Sequence, residues 1–406
     1  MSYSCGAVCD VLWGVYQRRS LFKAFQCKRL TAKTCTALCC LLVFWSPVAD
    51  AVEKTVNNPL VIDWSATNQQ VLSQHILPLY NQLAQTSLAL RELIHNDCAQ
   101  QKRMVATVPL SWQNAFAQFW QAWAAVQHIR LGPISYQQRY ARIHYWPDKH
   151  NRGTRQLKRL LTQDLTHLDA AAFAHKSVAL QGISALEKVL YSFNAEQLNQ
   201  QLCHIASLIS ANLATIAVDN LTAWRQGPNA FQQTFFQFSQ PDSVFASNKV
   251  LSTRLLNDLN THLSSIKDLK LLRTLVFIKQ PSALPLALPE SIAKSKPKRL
   301  EAWRSRQSLA LLKANLLAGQ SLYQLGFEPH VRKVNSLLHR QIASAFQRSL
   351  AAVDAFEQPL YDCLLVQPCS SLTALVEQVS VLQALVAEDM RHYLGLQYSF
   401  NSLDGD

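Results

Sequence analysis

Three side chains with chemistry to offer fall on one helical stripe. Ser184, Glu187 and Tyr191 stand at i, i+3 and i+7 within residues 181–191, Gln-Gly-Ile-Ser-Ala-Leu-Glu-Lys-Val-Leu-Tyr. That spacing lines them up along one side of a helix. Leu180, Ile183, Leu186 and Leu190 supply an apolar face beside them. A carboxylate with such neighbours is either a solvated edge residue or part of a site. An imidazole at position 184 would share a bound metal with Glu187, but a neutral serine hydroxyl is a poor ligand for zinc or iron. Glu187 alone is then a weak metal candidate. Hydrogen-bonding chemistry is open to both: Ser184 to Glu187 or to a backbone carbonyl, and Glu187 to an arginine.

The arginine that suits this role lies in Glu301-Ala-Trp-Arg-Ser. Arg304 is a candidate to hold Glu187 or an anionic group; Trp303 reads as core. Lys294, Lys296, Lys298, Arg299, Arg304 and Arg306 form the densest basic run, which reads as a solvated face, with an anion site as the alternative. His144, Asp148 and His150 share one loop, with no spacing that fixes a metal geometry. The His-Glu-x-x-His pattern and its inverted form are absent, as are a Gly-x-Ser-x-Gly elbow, a phosphate-binding loop and a dinucleotide fingerprint. A peptidase reading therefore lacks a nucleophile, a metal triad and an activated water.

The elements that must position these residues read as helices. Glycine is scarce, 10 in 406 residues, well under the usual share of about 7%. Apolar residues recur at helical spacing and alternating strand patterns are missing. The pattern predicts helices over 66–98 (with a kink or restart at Pro78), 110–129, 154–167, 176–194 and 196–225. Others follow over 243–277, 299–324, 328–357 and 371–396. Asp242 or Ser243 is expected to cap the sixth of these. Trp112, Phe116, Phe119, Trp120 and Trp123 form an aromatic stripe of core character. Residues 130–155 read as a long loop, and prolines 281, 285, 289 and 297 mark a linker over 280–298. The expected fold is all-α, two helical bundles in tandem. One spans 52–227, a connecting helix and linker span 228–298, and the remainder of the second bundle spans 299–406.

Residues 1–51 are expected to be a signal segment. A basic stretch precedes the uncharged run 35–45, and Ala49-Asp50-Ala51 fits a cleavage site. The segment is either removed or kept as an anchor that associates the protein with a membrane. Its removal leaves Cys98, Cys203, Cys363 and Cys369, for which the pairing 98–203 and 363–369 is expected in an oxidising compartment. It also leaves 33 Lys and Arg against 24 Asp and Glu, a net charge of +9. No nucleic-acid motif accompanies that charge.

Three ordered motifs carry a family resemblance. Gly182-x-Ser184-x-x-Glu187 is similar to the Gly-x-His-x-x-Glu signature of the imelysin family, with serine in the histidine position. Glu301-x-Trp303-Arg304-Ser305, with Asn315 and Leu316 beyond it, resembles a segment of that family's lipoprotein-like branch. Gly132-Pro133 followed by Tyr145-Trp146-Pro147-Asp148 resembles the loop ahead of the signature helix. The resemblance implies an imelysin-like, two-domain helical fold with a site in the interdomain cleft, where Arg304 is expected to hold Glu187 in a bidentate pair. It implies a periplasmic or cell-envelope location and a link to iron uptake. The candidate ligand-binding residues it carries over are Gly182, Ser184, Glu187, Tyr145, Trp146, Asp148, Trp303, Arg304 and Ser305. The reading that follows is a non-enzymatic protein binding a metal ion, an iron complex or a peptide in that cleft. A metallopeptidase, and a structural or partner-binding envelope protein that has lost the site, are the alternatives.

Overall fold

A computed structural model describes residues 62–99, 108–192, 195–227, 230–238, 243–277, 292–366 and 369–396. The expected signal segment, Pro228, Asp242 and most of the proline-rich linker lie outside the described residues.

The chain enters through α1 (Trp64–Val71), capped by Asp63, whose carboxylate accepts the amide of Ser65 at 2.9 Å. A π-helical turn, Leu72–Ile76, joins it to α2 (Leu77–Ala99). Pro78 has no N–H to give to the carbonyl of Gln74, and the wider turn takes up that missing bond without ending the helix. Helix α3 (Leu110–Val126) carries the aromatic stripe. Trp112, Phe116, Phe119, Trp120 and Trp123 are all buried, as their spacing requires. The longer helices that follow in the first half are α4 (Arg152–Leu160), α5 (Ile183–Ser192) and α6 (Ala195–Arg225). The second half holds α7 (Asn248–Ser264), α8 (Ser308–Gly326), α9 (Ser336–Asp354) and α10 (Ser370–Ala384).

The fold is all-α. Helix α2 packs on α3 and α6, and α5 on α4 and α6. In the second half α9 packs on α8 and α10, with α7 against both of the latter. Helix α1 breaks the sequence order, because it packs on α7 and α8, and α3 against α8 joins the two groups. Residues from Val61 onward accordingly form one compact unit. The disulfides are the expected pairs: Cys98–Cys203 ties α2 to α6, and Cys363–Cys369 closes a local loop.

Several boundaries differ from the sequence reading, each for a local reason. Helix α7 begins at Asn248 with Ser247 as its cap, so the expected cap Ser243 stands ahead of the helix and takes no part in it. The expected helix over 176–194 is two, Val178–Gln181 and α5, separated at Gly182. The long loop over 130–155 contains a 3-10 stretch, Gly132–Gln138, and a short helix, Arg139–Ile143. The connecting helix ends in a second π turn, Ser265–Leu271, and a 3-10 turn, Leu272–Thr274. Beyond it β1 (Leu275–Phe277) pairs antiparallel with β2 (Ile292–Ser295), Val276 opposite Lys294. Finally, residues 301–306 are a tight turn, and the helix expected from 299 begins only at Ser308.

Candidate functional site

Two non-glycine residues of the 301–306 turn, Ala302 and Arg306, have φ of 56° and 60°. Side chains disfavour that left-handed region, so such a turn persists only where its surroundings hold it. Glu187 does so. Its Oε1 accepts the backbone amides of Arg304 at 3.1 Å and Ser305 at 3.0 Å, and the Ser305 hydroxyl at 3.0 Å. Its Oε2 faces the Arg304 guanidinium at 3.8 Å, an ion pair looser than the bidentate contact expected from sequence. Burial pushes the Glu187 carboxyl above its usual range, while the Ser305 amide, Arg304 and the Ser305 hydroxyl pull it down.

The helix that presents Glu187 is itself set in place by Gly182. A Cβ at that position would lie 2.3 Å from the carbonyl oxygen of Ile143 and 2.7 Å from that of Arg142. Only glycine lets the segment ahead of Tyr145 cross so close to the start of α5. That segment then delivers Trp146 and Asp148. Asp148 accepts the amides of Arg152 at 2.7 Å and Gly153 at 2.9 Å, holding the start of α4, and its Oδ2 lies 3.7 Å from the buried Lys188 ammonium.

Beneath the turn lies a second buried carboxylate, Glu301. Its Oε2 pairs with Lys270 at 2.6 Å. Its Oε1 accepts from Gln127 at 3.2 Å and lies 3.5 Å from His144 Nδ1. The Lys270 ammonium also donates to Gln127 and to Asn315, each at 2.7 Å. Burial alone would raise the Glu301 carboxyl, but Lys270, His144 and the Gln127 amide together hold it below its usual range. Burial lowers the His144 imidazole to about 4.

Between α5 and the 298–304 segment opens a cavity of about 570 Å³. Ser184, Glu187 and Lys188 come to its wall from α5, Trp146, Asp148 and Lys149 from the loop ahead of α4. Arg273, Lys298, Arg299, Leu300, Ala302, Trp303 and Arg304 close it from the other side, with Trp120 also on its lining.

The family model for imelysin (Peptidase_M75) matches residues 76–386. The chain belongs to the imelysin family. Two solved structures share its fold. An imelysin-like protein from Psychrobacter arcticum 273-4 is 18% identical, with a TM-score of 0.66 over 84% of this chain and 98% of that one. An iron-regulated protein A precursor from Parabacteroides distasonis ATCC 8503 is 13% identical, with a TM-score of 0.64 over 81% of this chain and 94% of that one. No curated protein matches the chain by sequence.

Of the residues expected at an imelysin site, Ser184, Glu187, Trp146, Asp148, Trp303 and Arg304 meet around the cavity. Among the described residues the Ser184 hydroxyl makes no hydrogen bond, so the contact to Glu187 that the sequence suggested is not formed. Ser305 is buried behind the wall on Glu187. Gly182 acts through backbone spacing, and neither it nor Tyr145 is on the lining. Trp303 is half-buried rather than core: it stacks on Tyr361 at 5.6 Å and carries Arg304 over its ring at 4.2 Å. His144 is buried and His150 exposed, so the loop histidines do not converge with Asp148. Sequence reasoning missed Lys188, Arg273 and the Lys270–Glu301 pair. Lys270 had no distinguishing signal, since it shares the segment 266–272 with Lys267 and Asp268. Arg273 had none, because a turn and a hairpin bring it to the cavity.

Proposed function

We propose that this imelysin-family protein is a non-enzymatic receptor of the cell envelope that holds a small ligand in the cleft between α5 and the 298–304 segment. The observation that carries the reading is the cavity itself, of ligand size, walled by the family motifs and supported by a strained turn that Glu187 fastens. The export signal read in residues 1–51 and the two disulfides support an oxidising compartment. A tie to iron supply rests on the neighbour named for iron regulation.

The donor set does not fit a bare metal ion. Glu187 Oε1 already accepts three hydrogen bonds, and the guanidinium 3.8 Å from Oε2 would repel a cation there. Ser184 supplies no imidazole, and among the described residues no group of three His, Cys, Asp or Glu is arranged around a common centre. This favours a whole ligand, such as a metal complex, over an ion or a peptidase centre.

Thermal-shift screening of the purified protein against a small-molecule library tests the reading, with Ser184→Trp as a plug for the cavity. Hits that stabilise the native protein and vanish in the plugged variant are the expected result. Hits indifferent to the plug, or peptide cleavage that chelators and Glu187→Gln both abolish, would overturn it.

A further inference from the structure

The cavity wall is electrostatically one-sided. Lys149, Lys188, Arg273, Lys298, Arg299 and Arg304 line it, six cations against Asp148 and Glu187, a formal excess of +4. Both carboxylates are engaged elsewhere as well: Asp148 on the amides that open α4, Glu187 on the amides of the 301–306 turn. They neutralise the cations only in part, at 3.7 Å to Lys188 and 3.8 Å to Arg304.

Three of the cations lie over aromatic rings, two of them, Arg273 and Lys298, with no carboxylate beside them among the described residues. The Arg273 guanidinium lies 5.7 Å from the centre of the Trp146 ring. Lys298 lies 5.8 Å and Arg304 4.2 Å from the centre of the Trp303 ring. A π face fixes a cation's position while leaving its positive charge and N–H donors available. Among the described residues the side chains of Arg273 and Lys298 have no carboxylate partner and no hydrogen-bond acceptor. Arg299 uses one nitrogen on the Arg273 carbonyl, at 3.1 Å, which sets two guanidinium-bearing residues side by side. Crowded like charges in a partly desolvated cleft are unfavourable until an anion joins them, and they raise the local anion concentration beforehand.

We propose that the cleft receives a small polyanion, a molecule carrying two or more carboxylate or phosphate groups. Arg273, Lys298 and Arg304 supply the N–H donors, and Trp146 and Trp303 pre-position them. This rests on the cleft being the ligand site. The aromatic residues act on the cations and not as stacking platforms, since Trp303 already has Tyr361 on its ring and Trp146 has His144 parallel to it.

Calorimetric titration with pyrophosphate and with citrate tests the proposal, with sucrose and spermidine as neutral and cationic probes. The expected result is one-to-one binding of at least one anion, weakened by salt. Replacing Arg273 and Lys298 together by Met keeps their stems and should weaken that binding by about tenfold or more. Pyrophosphate binding tighter than citrate would identify a phosphate ligand, and the reverse a polycarboxylate. Absence of binding by both anions would overturn the proposal, as would binding unchanged in the Arg273→Met, Lys298→Met variant. Sucrose or spermidine binding that Ser184→Trp abolishes, with no anion binding, would retain the cleft as a receptor and reject its polyanion. Anion binding that survives Ser184→Trp would reject both.

Discussion

Glu187 and Glu301 are both buried carboxylates that meet the same six-residue turn, and they do opposite things. Glu301, on the inner side, has a lysine at 2.6 Å, an amide donor and a histidine, and its carboxyl is held below the usual range. Glu187, on the cavity side, has backbone amides and a hydroxyl, a guanidinium no nearer than 3.8 Å, and a carboxyl pushed up by burial. One closes a complete ion pair that stitches the ends of α3 and α7 to α8. The other fastens a strained loop and leaves the cations around it short of counter-charge. The difference separates a closed structural ion pair from the wall of an open cavity.

Breaking the inner pair has the largest expected effect. Glu301→Ala leaves the Lys270 ammonium buried without its carboxylate and should cost about 3–5 kcal/mol in urea unfolding. A Lys270→Met, Glu301→Leu double variant should recover most of that loss, because two matched apolar side chains need no partner. Equal losses in the single and double variants would show that Glu301 acts through something other than Lys270.

Acid attacks two buried imidazoles, His144 beside Glu301 and His75 in the π turn after α1. His144 and His75 are lowered from 6.5 to about 4 by burial, so the unfolded chain binds more protons than the native one between those values. The contribution of these two imidazoles to stability therefore rises with pH through that window and is lost as pH falls from 6.5 toward 4. A tenfold difference in proton affinity is worth about 1.4 kcal/mol, so protonating the two imidazoles removes several kcal/mol in all. Replacing His144 with Gln should flatten part of the slope measured by urea unfolding across that range.

The cavity-side carboxylate should matter less to stability. Glu187→Ala strands two amides and a buried hydroxyl, an expected loss of about 1–3 kcal/mol. Glu187→Gln keeps an acceptor for them and should lose less. Arg304→Met removes a loose pair and a half-buried contact with the Trp303 ring, with an expected change of about 1 kcal/mol or less. If Arg304→Met instead proved as damaging as Glu187→Ala, the ion pair and not the amide contacts would be the fastening.

Much of this architecture is legible in residue spacing. The aromatic stripe of α3, the stripe Ser184–Glu187–Tyr191 and the disulfide pairs can be read from one chain because each depends on local periodicity or on few alternatives. The partnership of Glu187 with the Trp303-Arg304-Ser305 segment is legible too, though as a guanidinium pair on a helix. The amides take the carboxylate because residues 301–306 form a turn, and the positive φ at Ala302 and Arg306 leaves no trace in side-chain type. Gly182 reads as a site residue and serves instead as clearance for the carbonyls of Arg142 and Ile143. Arg273 and Lys188 reach the cavity through tertiary crossing, and charge alone does not distinguish them from solvated lysines and arginines.

In the proposed reading Glu187 fastens the turn through Oε1 rather than ligating a metal. Calorimetric titration of the native protein with zinc, alongside Glu187→Gln, tests this most directly. The expected result is no one-to-one zinc binding in either protein and no zinc-dependent rise in melting temperature. One-to-one micromolar zinc binding that disappears in Glu187→Gln would contradict it.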